Sequence, residues 1–189
     1  MNPVRSGSTL SSILIGLALL AAAPMVAAHA QGPGDRESLL GVWDLVAATD
    51  FRPDGTALPW MGPKPTGTII YTKDGRMAVQ FMRDPPPKPS GQTMWTPDGR
   101  DLLTGTPAGE IQDAFAGYYA YFGTWRIDAT ARTVTHRVVS SLRPEEVGRE
   151  YVRPYEFRDE GLLFRYSVRA GDGEARTRVI EFRRAERFQ

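Results

Sequence analysis

The apolar and polar residues of this chain alternate with a period of two over much of its length, a pattern typical of β-strands that lie on a core. The first clear run spans residues 40–51, and four of its residues fall on one face: Gly41, Trp43, Leu45 and Ala47. The last run spans residues 175–184, with Phe182 and Arg184 on one face. Since a closed antiparallel barrel pairs its first and last strands, we predict that these runs are neighbours and that the Arg184 guanidinium covers the Trp43 ring.

Turn-forming residues divide the chain into eight predicted strands with one short helix among them. The strands are expected at 40–51, 66–72, 76–82, 118–128, 133–142, 148–158, 162–170 and 175–184. The helix lies between strands 3 and 4, with Pro107 in its first turn and Gly117 as its stop, and its apolar stripe of Ile111, Ala114 and Phe115 is expected to cap the barrel. These elements predict an all-β fold, an eight-stranded antiparallel up-and-down barrel.

The predicted strand directions sort the connections between the two barrel ends. The connections at 72–76, 128–132 and 158–162 share an end with Trp43 and Arg184. Those at 52–65, 84–117, 143–147 and 170–174 lie at the opposite end, where the stiff loop that carries Trp60 could cover an opening. The proline-rich segment 84–105 is either a lid or a disordered tip. Glu145 and Glu146 are predicted to occupy a solvated turn.

The hairpin of strands 2 and 3 is apolar on both faces. One predicted face carries Ile70, Met77, Val79 and Phe81, and the other carries Ile69, Tyr71, Gln80 and Met82. Periodicity does not decide which face points into the barrel.

The first thirty residues have the pattern of a cleavable signal peptide. Arg5 precedes an apolar run from Ile13 to Ala23, and small residues at 28 and 30 predict cleavage after Ala30. The apolar run is short for a membrane span, so we expect a periplasmic or secreted protein with no membrane anchor in its mature form. Residues 31–38 are then expected to be a tether, 39–185 the barrel domain and 186–189 a tail.

Composition narrows the possible functions. Of the 189 residues, cleavage after Ala30 would leave 159, with 22 basic and 22 acidic side chains, because Arg5 is the leader's one charged residue. This balance gives no electrostatic basis for nucleic-acid binding. Cysteine is absent, and His136 is the one histidine of the mature chain. With no zinc spacing, phosphate-binding glycine loop or nucleophile elbow, the sequence predicts neither a metal nor a cofactor.

His136 and Arg153 stand out because both lie on strand faces that otherwise carry aromatic and aliphatic residues. Antiparallel pairing brings the two side chains together, and Gly123 beside them leaves space. They either bond tyrosine hydroxyls in a filled core, or form a polar floor for an anionic or carbonyl-bearing ligand, or one of them is exposed by a different register. The remaining candidate ligand contacts are Tyr121, Tyr155, Ser140, Gln80, Tyr71 and Trp60.

Six motifs carry a family resemblance: Leu40-Gly-x-Trp43, Gly67-x-Ile-x-Tyr-Thr-x-Asp-Gly-Arg-Met77, Gly117-Tyr-x-Ala-Tyr-x-Gly-Thr-Trp-x-Ile-Asp128, Thr133-Val-Thr-His136, Gly148 followed by Arg153, and Phe182-Arg-Arg184. Over about residues 39–185 the chain resembles the bacterial and fungal lipocalin-like domain family. The resemblance implies a lipocalin-type barrel and says little about substrate. Arg137 stands where many relatives have a second histidine, and Phe182 where they usually have tryptophan.

Three functions remain open at this point. The first is an exported protein that binds a small, largely hydrophobic molecule with a polar or anionic head in the barrel lumen. The second is an isomerase, cyclase or hydrolase that uses His136 as acid/base, with Arg153 and Tyr121 holding an oxyanion. The third is a filled barrel that acts as an envelope interaction module. An open lumen would separate the first two from the third; the sequence specifies neither the ligand nor the oligomeric state.

Overall fold

The computed structural model describes residues 34–95 and 101–186, and these form two α-helices, a short 3-10 helix and eleven strands. The helices are α1 (Gly34–Leu39) and α2 (Ala108–Ala116), and the 3-10 helix is Pro144–Glu146. The strands are β1 (Gly41–Phe51), β2 (Ala57–Pro59), β3 (Thr66–Tyr71), β4 (Arg76–Met82), β5 (Gln92–Trp95), β6 (Asp101–Thr104), β7 (Tyr118–Asp128), β8 (Thr133–Ser141), β9 (Glu150–Arg158), β10 (Gly161–Arg169) and β11 (Ala175–Arg184). The predicted leader and residues 187–189 of the predicted tail lie outside the described residues.

Eight of these strands close into an antiparallel barrel, in the order β1-β3-β4-β7-β8-β9-β10-β11, with β11 pairing back to β1. Trp43 pairs with Arg184 across this closure, and the Arg184 guanidinium carbon lies 4.0 Å from the Trp43 ring centroid. Both the barrel and the Trp43–Arg184 contact are therefore confirmed. The sequence did not predict β2, which pairs with the end of β1, or the separate β5–β6 hairpin within 84–105.

The helices differ from the prediction. α2 follows the β5–β6 hairpin and precedes β7, and none of its residues is buried: Ile111 is 38% exposed and Phe115 46%. The prediction that this helix caps the barrel is therefore wrong. α1 falls in a segment predicted to be a tether. Neither helix of the described residues is long and apolar enough to cross a membrane.

Helix α1 covers the barrel end at which Trp43 and Arg184 meet. Leu39 is fully buried and its carbonyl accepts the Trp43 indole N–H at 2.9 Å. Arg184 donates to the carbonyls of Ser38 and Leu40. These contacts close one end of the lumen, because they tie the residues before β1 to the last strand.

A β-bulge at Val46 changes which face of β1 points inward. Leu45 pairs with Phe182 and Ala47 with Glu181, so Val46 is the extra residue on β1. Before the bulge Leu45 is buried; after it Ala48 and Asp50 are buried. The prediction that Ala47 shares the inward face is therefore wrong, and Asp50 joins the lumen in its place.

A second bulge, on β8, likewise changes which residues of that strand point into the barrel. Phe122 pairs with Ser140 and Gly123 with Val138, which leaves Val139 as the extra residue. Ser140 consequently faces outward and is exposed, whereas Ser141 pairs with Tyr121. The prediction of Ser140 on the inward face is wrong for this reason.

The inward face of the β3–β4 hairpin contains residues from both predicted faces. Tyr71 pairs with Met77 and Ile69 with Val79, and all four are buried. Because these four buried residues all have odd numbers, the odd-numbered positions of both strands face into the barrel. Gln80 points outward and accepts a hydrogen bond from the Tyr118 hydroxyl at 3.2 Å, which corrects its assignment to the lumen.

Candidate functional site

The barrel encloses a cavity of about 570 Å³ that opens away from α1, beside the connections at 143–147 and 170–174. Its wall includes the side chains of Ile69, Val79 and Phe81 from the β3–β4 hairpin and Phe182 from β11. A cavity of this size disagrees with the interpretation that side chains fill the barrel. It falls within the range of about 300–1,000 Å³ that is usual for small-molecule pockets.

His136 lies at the floor of this cavity and is held by two tyrosines. The Tyr71 hydroxyl lies 2.7 Å from Nε2 and the Tyr121 hydroxyl 2.8 Å from Nδ1. Burial, together with the nearby charge of Arg153, lowers the pKa of His136 to about 3. The imidazole is therefore neutral at ordinary pH, so one ring nitrogen donates to a tyrosine oxygen while the other accepts from a tyrosine hydroxyl.

The two tyrosines are neutral as well, because burial raises the pKa of Tyr71 and of Tyr121 well above its ordinary value. Tyr121 lines the cavity, whereas Tyr71 lies beneath it against His136 and Trp125. Of the interpretations left open by the sequence, the bonding of His136 to tyrosine hydroxyls is the one observed. It is observed in an open lumen and not in a filled core.

Arg153 lies in the same lumen as His136, as predicted. Its guanidinium carbon is 3.9 Å from the Tyr166 ring centroid and 4.7 Å from that of Tyr151. In register Arg153 pairs with Val134 and His136 with Tyr151, so the two side chains are diagonal neighbours. In the described part of the chain, Arg153 makes no ion pair with a carboxylate.

A buried ion pair that the sequence analysis missed forms the opposite wall. Arg178 donates to both oxygens of Asp50, with Nε–Oδ1 and Nη2–Oδ2 distances of 2.7 and 2.9 Å. The same guanidinium lies 3.6 Å from the Trp60 ring centroid, and Trp60 lines the cavity. Loop 52–65 is thus held against the open end through Trp60, as predicted, but the clamp that holds it depends on the bulge at Val46.

Glu146 is the second functional candidate that the sequence did not reveal. It is 7% exposed and lines the cavity, and its Oε2 accepts a hydrogen bond from the Ser141 hydroxyl at 2.9 Å. Glu145 beside it is exposed. The prediction of a solvated turn therefore holds for Glu145 and is wrong for Glu146, since the 3-10 helix turns the second carboxylate inward.

The charges on the cavity wall are predominantly positive. Of the described residues, two carboxylates line it, those of Asp50 and Glu146. Six arginines line it: Arg143, Arg149, Arg153, Arg169, Arg176 and Arg178. Arg143 lies over the Tyr119 ring at 5.2 Å, and Arg176 pairs with acidic residues of the 170–174 connection.

Two further predicted contacts lie elsewhere. A Cβ at Gly123 would lie 1.9 Å from the backbone oxygen of Arg137, so this glycine permits the close strand approach at the bulge and does not open space for a ligand. The Tyr155 hydroxyl donates to Asp35 of α1 at 2.7 Å, at the closed end and outside the cavity wall. Among the described residues, no three acidic or histidine side chains cluster in a way that could hold a metal ion.

Comparison with known proteins agrees with the fold and the motifs. No curated protein matches the chain. The family model of the lipocalin-like domain matches residues 40–185, which spans the whole barrel. The chain therefore belongs to the lipocalin-like domain family.

Proposed function

We propose that this protein binds a small amphipathic molecule in its lumen and that the anionic head of that molecule contacts Arg153. The observation that carries the proposal is the set of contacts that the Arg153 guanidinium makes. Its guanidinium is stacked against the rings of Tyr151 and Tyr166 in an open cavity, and no carboxylate of the described residues is paired with it. Stacking fixes the plane of the guanidinium and leaves its N–H donors for a carboxylate, which they match in geometry.

The remaining wall suits the apolar body of such a ligand. Phe81, Phe182 and the aliphatic side chains of Ile69 and Val79 line the lumen below Trp60. Burial of an alkyl or aromatic group against these residues would contribute about 25 cal/mol for each Å² of apolar surface removed from water. Membership of the lipocalin-like domain family is consistent with the binding of a small amphipathic molecule.

The geometry supports binding more than catalysis by His136. Both ring nitrogens are occupied by tyrosine hydroxyls, and the lowered pKa of His136 disfavours proton uptake near neutral pH. His136 acts in this proposal as a positioning residue, because it fixes the hydroxyl of Tyr121 at the floor of the cavity.

The test compares decanoate with 1-decanol, which have the same chain length and differ in the charged head. We expect titration calorimetry to show tighter binding of decanoate. Arg153→Met should weaken decanoate binding about 10- to 100-fold, because a hydrogen bond to a charged group contributes about 1.5–3 kcal/mol. Arg165→Met, on the exposed face of β10, serves as the matched control. Equal affinity for both compounds, or decanoate binding unchanged in Arg153→Met, would refute the proposal.

Export of the protein is a separate proposal that rests on the leader pattern of residues 1–30. Intact-mass analysis of protein recovered from the periplasm or medium should show a chain that begins at Gln31. A cell-associated species that retains Met1 would show that the segment is not cleaved.

A further inference from the structure

The lumen contains a second charged group without an oppositely charged partner, the carboxylate of Glu146. Its hydrogen-bond donors are neutral hydroxyls, that of Ser141 at 2.9 Å and that of Tyr151. The ion pairs of the described residues include none to Glu146, although Arg143 and Arg149 line the same cavity. Two neutral hydroxyls compensate the charge of a deeply buried carboxylate less well than a cation does.

Glu146 and Arg153 both lie next to Tyr151. The Arg153 guanidinium stacks on the ring of Tyr151. Burial raises the pKa of Tyr151, and the Glu146 carboxylate beside its hydroxyl raises it further. Arg153 therefore lies at the ring of Tyr151 and Glu146 at its hydroxyl, both groups line the same cavity, and they form no ion pair with each other.

The two groups come from different elements of the cavity wall. Arg153 lies on β9 and its guanidinium reaches the ring of Tyr166 on β10, whereas Glu146 belongs to the 143–147 connection at the open end. A ligand that enters at the open end and reaches Arg153 would therefore pass the part of the wall that carries Glu146.

We propose that the natural ligand is zwitterionic: an amphipathic amino-carboxylate whose carboxylate contacts Arg153 and whose ammonium contacts Glu146. This inference rests on the proposed function and adds the second half of the head group. An ammonium would supply the positive charge that the two hydroxyl donors of Glu146 do not, whereas a ligand hydroxyl would add one more neutral donor. Conversely, Glu146 disfavours a plain carboxylate, because like charges repel at short range in a partly dehydrated site.

The experiment measures, by titration calorimetry, the binding of decanoate, 3-hydroxydecanoate and the 2-, 3- and 4-amino derivatives of decanoate. At least one amino derivative should bind wild-type protein tenfold or more tightly than decanoate and than 3-hydroxydecanoate. This comparison needs no variant. If no amino derivative exceeds both reference compounds, the inference is wrong.

Glu146→Gln then tests the assigned residue, since the amide oxygen can still accept the Ser141 bond. The favoured amino derivative should bind at least tenfold more weakly to this variant, while decanoate should bind several-fold more tightly. Glu145→Gln removes the same charge from the neighbouring exposed position and should change neither affinity.

The outcomes distinguish this inference from the proposed function. An equal weakening of all ligands by Glu146→Gln would assign Glu146 a structural role and overturn the inference. Decanoate binding that depends on Arg153 would in that case still support an anion site. Binding of decanoate that is indifferent to Arg153→Met would instead refute the proposed function itself.

Discussion

Replacing Asp50 by Asn is expected to destabilise the barrel strongly, because it breaks the ion pair with Arg178. The two side chains are only 5% and 15% exposed, and two hydrogen bonds of 2.7 and 2.9 Å join them. Removing one partner of a buried pair leaves the other charge uncompensated, which typically costs about 3–5 kcal/mol. For a domain of this size, that loss corresponds to a decrease in Tm of about 6–20 °C.

Urea denaturation of Asp50→Asn, Arg178→Met and the double variant measures this coupling. The double variant should be destabilised by less than the sum of the two single variants, because it contains no unpaired charge. Asp44→Asn provides the control, since Asp44 and Arg183 form a more exposed pair at 3.9 Å and should contribute about 1 kcal/mol or less. A loss below about 1 kcal/mol in Asp50→Asn, or strict additivity in the double variant, would refute the reasoning.

Three further predictions concern other parts of the barrel. Trp43→Ala should cost roughly 3–5 kcal/mol and should be non-additive with Arg184→Ala in a denaturation cycle, because the two side chains share contacts; strict additivity would contradict closure at this pair. The pKa of His136 is lowered in the folded protein, so the unfolded chain binds a proton that the native state does not. Stability should therefore fall between about pH 6.5 and pH 3, by about 1.4 kcal/mol per pH unit from this residue. Urea midpoints should show a shallower acid dependence in His136→Gln, and an unchanged dependence would argue against a neutral buried imidazole. Gly123→Ala should lower the Tm markedly, since its Cβ would collide with a backbone oxygen of β8; a Tm within about 2 °C of wild type would show that the bulge adjusts.

The barrel could be predicted from sequence because a period of two, interrupted by turn residues, depends only on local alternation. The pairing of first and last strands followed from closure. The bulges could not be predicted, because an extra residue such as Val46 or Val139 fits the apolar pattern of either face and becomes recognisable only when the partner strand is known. Ala47 and Ser140 were therefore placed on the wrong faces.

The site was predictable to the extent that unusual residues stood on regular strands. His136 and Arg153 were noticed because a histidine and an arginine interrupt apolar faces, and both line the lumen. Asp50 was missed because it lies beyond a bulge. Glu146 was missed because a three-residue 3-10 helix has no periodicity from which an inward direction can be read.

The bulge at Val46 implies that this position of β1 tolerates both substitution and deletion. Val46 is about half exposed, so substituting it removes few contacts. Deleting it would place Leu45 and Ala47 in succession opposite Phe182 and Glu181, which is a regular antiparallel register, and would leave Asp50 opposite Arg178 on the inward face. Among related sequences, β1 should accordingly occur with or without this extra residue, whereas loss of a second residue between Leu45 and Ala48 should be rejected, because it would turn the Asp50 carboxylate away from Arg178.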